Sequence, residues 1–173
     1  MKLESPDFTE LDVRAFLKET LDHERHRLAD RLEADSARLA ALVQAGVHDR
    51  RNGDAWSGQQ VLAHIVVLSK FYGMLTSQVG AGKLTELDLL GAAQARDVAA
   101  EPLLPLPPEK LLSLAQRDHQ RTVAYLRNTN GMDLARRANL LDSFTLSAQE
   151  IATLPLCAHL EIHLEQLEGA PRS

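Results

Sequence analysis

The sequence predicts an all-α protein: a four-helix bundle with a long crossover between its second and third helices. Leu, Ala, Arg and Glu are abundant and β-branched residues are sparse, which favours helix throughout. Apolar residues recur at helical spacing in four segments, and the connection between the middle two is the longest. The length of 173 residues suits a single domain with its own core, so we assign residues 1–173 to one helical domain.

End signals define the helices. Ser57 with Gln60, and Ser147 with Glu150, form capping boxes at the starts of the second and fourth helices. Trp56, just before the first box, occupies the position of a hydrophobic staple. The predicted spans are about Leu11–Val43, with a break expected near Thr20, then Ser57–Val79, Pro108–Arg127 and Ala148–Glu168.

The connections and one helix contain breaker residues. The crossover over residues 83–108 holds several prolines, which prevent regular structure, although Thr85 is expected to open a short helix. Residues 128–142 are polar and rich in turn signals, which predicts a loop. Pro155 lies inside the fourth helix and is expected to kink it one turn before His159.

Composition excludes several classes of protein. The net charge is −5 and the charges are interspersed, so we expect no nucleic-acid partner. No apolar run reaches the roughly 18 residues of a membrane span, and the first residues do not resemble a signal peptide. With Cys157 as its single cysteine, the chain forms no internal disulfide. We therefore expect a cytoplasmic protein without a membrane partner.

Three histidines suggest a metal site. His159 and His163 are four residues apart in the fourth helix, so both rings lie on one face about 6 Å apart along the axis. His64 faces inward two turns into the second helix and is the best candidate for a third ligand. Burying three unpartnered imidazoles would cost about 1–3 kcal/mol each, and a shared ion removes that cost. The alternative is that they are core histidines with hydrogen-bond partners.

The ligand set limits the chemistry. Three neutral imidazoles suit Zn, Ni, Fe or Cu, and three protein ligands leave a coordination position open, as in catalytic sites. That position suits either a water, whose pKa falls toward about 7 on zinc, or a thiolate. The chain contains no Glu-x-x-His motif, which argues against a ferritin-like di-iron bundle, and no His-Glu-x-x-His motif of a zincin protease.

Other chemically active residues are weaker candidates. His119 faces inward on the third helix, either as a core histidine or as a group beside the metal site that serves as general base. His23 and His26 lie in a charged run and are expected to be solvated. Cys157 and Glu161 are each two residues from a candidate ligand, about 200° around the helix, and are therefore expected to point away from the ion.

The spacing of these motifs resembles that of the DinB/YfiT-like family. The resemblance is carried by Trp56-Ser57, the inward His64, and the pair His159 and His163 on the last helix. It implies an up-down-down-up bundle that binds one divalent ion, commonly nickel or zinc, through the three histidines. Members include metal-dependent hydrolases, and transferases or isomerases that use low-molecular-weight thiols such as bacillithiol, mycothiol or glutathione. Many are homodimers.

We therefore expect a metal-dependent enzyme that acts on a small molecule. The first hypothesis is transfer of a low-molecular-weight thiol, or use of a metal-activated thiolate, on an electrophilic substrate. The second is a metal-dependent hydrolase that uses metal-bound water. A third is a non-enzymatic, dimeric stress-response or interaction bundle whose metal site is vestigial. A homodimer is expected in each case.

Overall fold

Four long helices dominate the protein. The computed structural model describes residues 9–49, 56–88, 91, 94, 99–141 and 144–169. The first three helices are α1 (Glu10–Gln44), α2 (Gly58–Gly80) and α3 (Pro108–Asn128). The last helix, α4, is continuous but has three parts: an α-helical turn (Ala148–Ile151), a π-helical segment (Ala152–Ala158) and an α-helix (His159–Glu168). The predicted all-α four-helix architecture is confirmed.

α1 is a single helix of 35 residues, about 50 Å long. The break expected near Thr20 is wrong, because α1 contains no glycine or proline and its backbone ladder continues through that residue. Thr9 and Asp12 form a capping box at its start. The helix stops where Gly46 adopts a positive φ of 73°, a conformation that glycine reaches without steric cost.

The predicted limits of α2 are close to those observed. The Ser57 hydroxyl accepts from the Gln60 amide at 3.3 Å, and the Gln60 side chain accepts from the Ser57 amide at 2.8 Å. Gly82, just beyond the helix, has a positive φ of 68°. α2 is the most deeply buried of the long helices, with fifteen buried residues among its 23. His64 is therefore held on a well-fixed element.

The crossover begins with extended chain. The short helix expected in the crossover does not start at Thr85, because residues 85–88 are not helical, and residues 89–90 lie outside the described chain. Helix is present further along, at the described residues 91, 94 and 99, where Asp88 Oδ1 accepts from the Gly91 amide at 3.0 Å. Glu86 forms a parallel bridge with Asn139, whose amide donates to the Thr85 carbonyl at 2.7 Å and whose carbonyl accepts from the Leu87 amide at 2.9 Å. A 3₁₀ turn over Glu101–Leu103 precedes α3.

A small hairpin replaces the loop predicted between α3 and α4. A 3₁₀ helix (Gly131–Ala135) leads into β1 (Arg137–Leu141), which pairs antiparallel with β2 (Phe144–Ser147). The strands are short and their sequences lack the alternation that marks a half-buried strand. Their pairing leads directly into the capping box of α4, where the Ser147 hydroxyl accepts from the Glu150 amide at 3.1 Å.

One apolar core lies among the four helices. Leucines supply much of it, and the largest side chains in it are almost completely buried: Leu28, Leu32, Leu39, Leu62, Ile65, Leu68, Leu75, Leu111, Leu126, Leu134 and Ile151. At about 1.5–3 kcal/mol for each fully buried aliphatic side chain, this core dominates the favourable terms in folding. Across the described residues, no helix is both long enough and apolar enough to cross a bilayer.

Candidate metal centre

The three predicted ligands meet at one point between α2 and α4. One ring nitrogen from each of His64, His159 and His163 lies within 4.8 Å of the other two. The ring centroids are 4.6 Å apart for His64 and His163, 4.8 Å for His159 and His163, and 5.6 Å for His64 and His159. His64 and His163 are each only 5% exposed, and His159 is partly buried. The predicted convergence of these residues is confirmed.

The local structure of α4 explains why its two histidines point inward. Pro155 lacks an amide hydrogen and cannot take part in the α-helical ladder. The chain accommodates it with the π-helical segment, and regular α-helix resumes at His159. His163 lies one turn later on the same side as the buried Leu160 and Leu164. Pro155, where a kink was expected, thus lies in a π segment, and the histidines still converge on His64.

A glutamine orients one of the rings. His163 Nδ1 lies 3.1 Å from Gln166 Oε1, three residues further along α4. Because an amide oxygen only accepts, Nδ1 carries the hydrogen, and Nε2 is the nitrogen whose lone pair could bind a metal. Histidine ligands of metals commonly donate their other ring N–H in this way. Gln166 was not singled out in the sequence, although the i, i+3 spacing from His163 was available as a signal.

Two aromatic residues border the histidines. The Trp56 ring centroid lies 5.1 Å from that of His64 and 6.3 Å from that of His163, and 47% of Trp56 is exposed. Tyr72 lies on the other side, with its ring 6.5 Å from His159. The sequence placed Trp56 in a staple position and Tyr72 on the core face. The structure shows that both also line the site, with Trp56 between the imidazoles and solvent.

An ion pair fixes α4 against α1 beside the site. Two guanidinium nitrogens of Arg31, Nε and Nη2, donate to the Glu161 carboxylate. Arg38 pairs with Glu168 in the same way about two turns further along both helices. The hydrogen bonds from Arg31 lower the pKa of Glu161, which stays ionised. Glu161 is thus held away from the histidines, as its position on the helix predicts.

The remaining candidates do not join the cluster. Burial raises the pKa of the Cys157 thiol to about 12, so it is a neutral core group at physiological pH. His119 is buried, its Nε2 lies 2.7 Å from Ser69 Oγ, and burial lowers its pKa to about 4. It is a neutral core histidine outside the convergent set. His23 and His26 are exposed on α1, as expected.

The cluster suits a divalent ion chemically. Zinc–nitrogen bonds of about 2.0–2.1 Å in a tetrahedral site require nitrogens about 3.4 Å apart, somewhat closer than the 4.8 Å limit of this cluster. Small ring rotations cover that difference. Three imidazoles from two rigid helices, with one ring oriented by Gln166, can therefore hold one metal ion.

Comparison with protein families gives an independent result. A family model described as the DinB superfamily matches residues 28–167, which is most of the chain and includes all three histidines. The chain belongs to the DinB superfamily. No curated protein and no solved structure matches it significantly. Membership of this DinB superfamily, together with the three-histidine cluster, favours a metal-dependent enzyme.

Proposed function

We propose that this DinB-superfamily protein is an enzyme that depends on one divalent ion per chain, nickel or zinc, held by His64, His159 and His163. The proposal rests on one observation: a nitrogen from each of these buried or partly buried rings lies within 4.8 Å of the others. When bound with three protein ligands, such an ion keeps one position open and lowers the pKa of a thiol or water placed there.

The surrounding residues prepare the site. Gln166 sets the tautomer of His163 through its bond to Nδ1. Trp56 covers the rings of His64 and His163 and limits the access of water. Arg31 anchors α4 through Glu161, which fixes the helix that carries two ligands. Each interaction reduces the freedom of the imidazoles, so less conformational entropy is lost when an ion binds.

The preferred reaction is attack by a low-molecular-weight thiol on an electrophilic small molecule. Thiols ionise readily, so this reaction needs less help from a general base than hydrolysis does. Among the described residues, the acidic group between the two α4 ligands, Glu161, is engaged by Arg31, and His119 lies outside the cluster. Hydrolysis of an ester or amide by metal-activated water is the second candidate, because the same open coordination position serves it.

Metal analysis tests the first step. Untagged protein reconstituted with Ni²⁺ or Zn²⁺ is expected to retain about one ion per chain after desalting, as measured by elemental analysis. His64→Ala and His159→Ala should each lose it, whereas His26→Ala, an exposed histidine on α1, should retain it. The absence of metal in reconstituted wild type, with equal melting temperatures for all variants, would instead favour a non-enzymatic bundle.

A thermal-shift matrix separates thiol from water chemistry. A ligand that binds only the folded state raises the melting temperature by mass action. Glutathione, bacillithiol and mycothiol are each added to metal-loaded and metal-free protein. We expect at least one thiol to raise the melting temperature of the metal-loaded form alone. No response to thiols, combined with metal-dependent turnover of an activated ester, would support hydrolysis and reject thiol transfer.

A further inference from the structure

A groove between α2 and α3 lies next to the metal centre, and the three ligand histidines are not part of its described lining. Its wall is mainly apolar, it extends beneath the end of the crossover, and its volume is about 500 Å³; the apolar lining is Val66, Val67, Phe71, Met74, Ala99, Leu103 and Leu114. Val67 and Phe71 lie one and two turns beyond His64 on the same side of α2. Among the described residues that line the groove, none is a ligand histidine.

One end of the groove is polar. A recess of about 250 Å³ adjoins it and shares Lys70, Met74 and Asp118 with the apolar part. Arg117 lines the apolar part and Arg121 the recess. The groove therefore combines an apolar section and a charged section, the combination that small-molecule sites use for affinity and orientation.

The charges at this end do not balance. Lys70, Arg117 and Arg121 are cations, and Asp118 is the one carboxylate among the described lining residues. Asp118 Oδ1 lies 3.3 Å from Arg121 Nη1 and 3.7 Å from Arg117 Nε. The described lining residues thus carry a net charge of two positive units. A negatively charged group on a ligand would be attracted here, and arginines can hold it with paired hydrogen bonds.

Asp118 provides a second recognition feature in the groove, because one of its carboxylate oxygens can accept a hydrogen bond from a ligand. The residue is only 5% exposed, and its Oδ2 is buried without a hydrogen-bond partner among the described residues. A buried carboxylate oxygen in that state has lost its hydrogen bonds to water without gaining a donor from the protein, which is unfavourable. Because Asp118 lines both parts of the groove, an N–H or O–H of a ligand near the anionic group would supply that donor.

The floor of the recess is built by close approach of the helices. A Cβ at Gly73 would lie 2.2 Å from Thr122 Oγ1, so only glycine is accommodated at this point. Thr122 Oγ1 donates a hydrogen bond to the Asp118 carbonyl at 3.1 Å, and Ser69 Oγ forms a hydrogen bond with the buried His119. Because packing and hydrogen bonds within the protein hold these floor residues in place, the recess is preformed between the two helices.

We propose that this groove binds a small amphipathic anion. Its apolar body would lie along Phe71, Leu103 and Leu114, its carboxylate or phosphate group against Lys70, Arg117 and Arg121, and an adjacent hydroxyl or amide N–H would donate to Asp118 Oδ2. The proposal goes beyond the metal-dependent activity, because the groove residues bind their ligand whether or not an ion occupies the histidines.

Calorimetry with eight-carbon probes tests the chemistry of the ligand. We expect octanoate or octyl phosphate to bind at least tenfold more tightly than octanol or octylamine, and 2-hydroxyoctanoate several-fold more tightly than octanoate. A preference for octylamine would overturn the proposal, because it would mean that Asp118 alone recognises the ligand. No binding of either anion, or equal binding of all probes, would also overturn it, and no benefit from the hydroxyl would reject the role of Asp118 Oδ2.

Variants locate the binding site. Met74→Trp, at a position 52% exposed and shared by both parts of the groove, should fill it and weaken octanoate binding at least tenfold. Arg117→Gln combined with Arg121→Gln should have a similar effect, while Arg14→Gln on α1 serves as the matched control. Circular dichroism verifies folding. His64→Ala should bind octanoate normally; loss of binding in that variant would show that the carboxylate binds the metal and would overturn the proposal.

Discussion

Gln166 controls the chemistry of His163 through a single hydrogen bond. Its Oε1 lies 3.1 Å from Nδ1 and so directs the other ring nitrogen toward the cluster. Loss of such a supporting bond typically weakens metal binding about 10- to 100-fold. We predict this loss for Gln166→Leu, measured by competition with a chromophoric chelator. Glu165→Gln, at the exposed neighbouring position, is the control, and equal affinities for the two variants would contradict the assigned role.

Asp35 is a buried carboxyl group, and its surroundings disfavour the ionised form. Burial on the inner side of α1, reinforced by the nearby charge of Glu161, raises its pKa from 3.8 to about 6. The folded protein therefore binds this proton more tightly than the unfolded chain does. The resulting contribution to stability is complete below about pH 3.8 and is lost as the pH rises through about 6.

Asp35→Asn should therefore stabilise the protein at neutral pH. After allowance for solvent screening, we expect a gain of about 1–2 kcal/mol in the free energy of unfolding at pH 7.5 and almost none at pH 4. Urea denaturation of metal-free protein at both pH values measures it. Glu109→Gln, at an exposed carboxyl on α3, is the matched control for the loss of a carboxylate. An equal effect of Asp35→Asn at both pH values would contradict the explanation.

At the residue level, the ligands could be predicted and their surroundings could not. His159 and His163 are adjacent along one helix, so their shared face results from helical geometry alone. His64 could be added because the capping box at Ser57 showed where α2 begins, and therefore which of its residues face inward. Tyr72 and Gln166 were not predicted as site residues, because their role depends on how α2 packs against α4. The sequence shows which face of each helix is buried, but not the angle at which two helices pack.

The π segment of α4 determines where its histidines point. Returning Ala152–Ala158 to α-helix would shift the subsequent residues by one position, a rotation of about 100°. The shift would expose Leu160, Leu164 and Leu167, at about 1.5–3 kcal/mol each. That cost exceeds the gain from one regular turn. The core on both sides of the segment, rather than Pro155 alone, therefore maintains the register.

Pro155→Ala tests whether the core maintains this register. We predict that the variant keeps the π segment, binds metal within about threefold of wild-type affinity, and changes the free energy of unfolding by less than about 1 kcal/mol. Metal titration and urea denaturation provide the two readings. A variant that is well folded but unable to bind metal would mean that proline alone determines the orientation of the histidines.

The elements that were predicted correctly carry their own end signals. The boxes at Ser57 and Ser147 and the glycines after α1 and α2 act through local backbone geometry, which the sequence determines directly. The hairpin was missed because its two short strands lack an alternation of apolar and polar residues. The start of a helix at Thr85 was wrongly predicted for a different reason. The backbone near Glu86 pairs with Asn139, more than fifty residues away, and the residues around Glu86 give no signal of such a partner.

At the scale of the whole molecule, the first part of α1 is unusual. None of its residues from 10 to 20 is buried among the described residues, and Leu11 and Phe16 are 76% and 65% exposed. Leu17, further along the same stretch, also lines a cleft with two exposed side chains, Met132 of the 3₁₀ helix and Leu154 of α4. We propose that this region is the interface of a homodimer, since a second copy would cover apolar area that the single chain leaves in water.

Phe16→Glu should convert a dimer into a monomer. Placing a charge in an apolar interface is unfavourable, and the change should be visible by sedimentation at micromolar concentration. Lys18→Glu alters charge on the opposite side of the same helix and should leave the dimer intact. A monomeric wild-type protein, or a dimer that survives Phe16→Glu, would show that this part of α1 serves another purpose.

The π segment also makes a prediction about other chains of this superfamily. A wider turn accommodates one extra residue while the helix beyond it keeps its position. A relative whose final helix is α-helical throughout should therefore have one residue fewer between the serine that opens that helix and its first ligand histidine, and it would not need a proline there. Insertions and deletions of a single residue are tolerated poorly in most helices. In α4, by contrast, we expect a change of one residue in the length of the π segment to leave both imidazoles facing the ion.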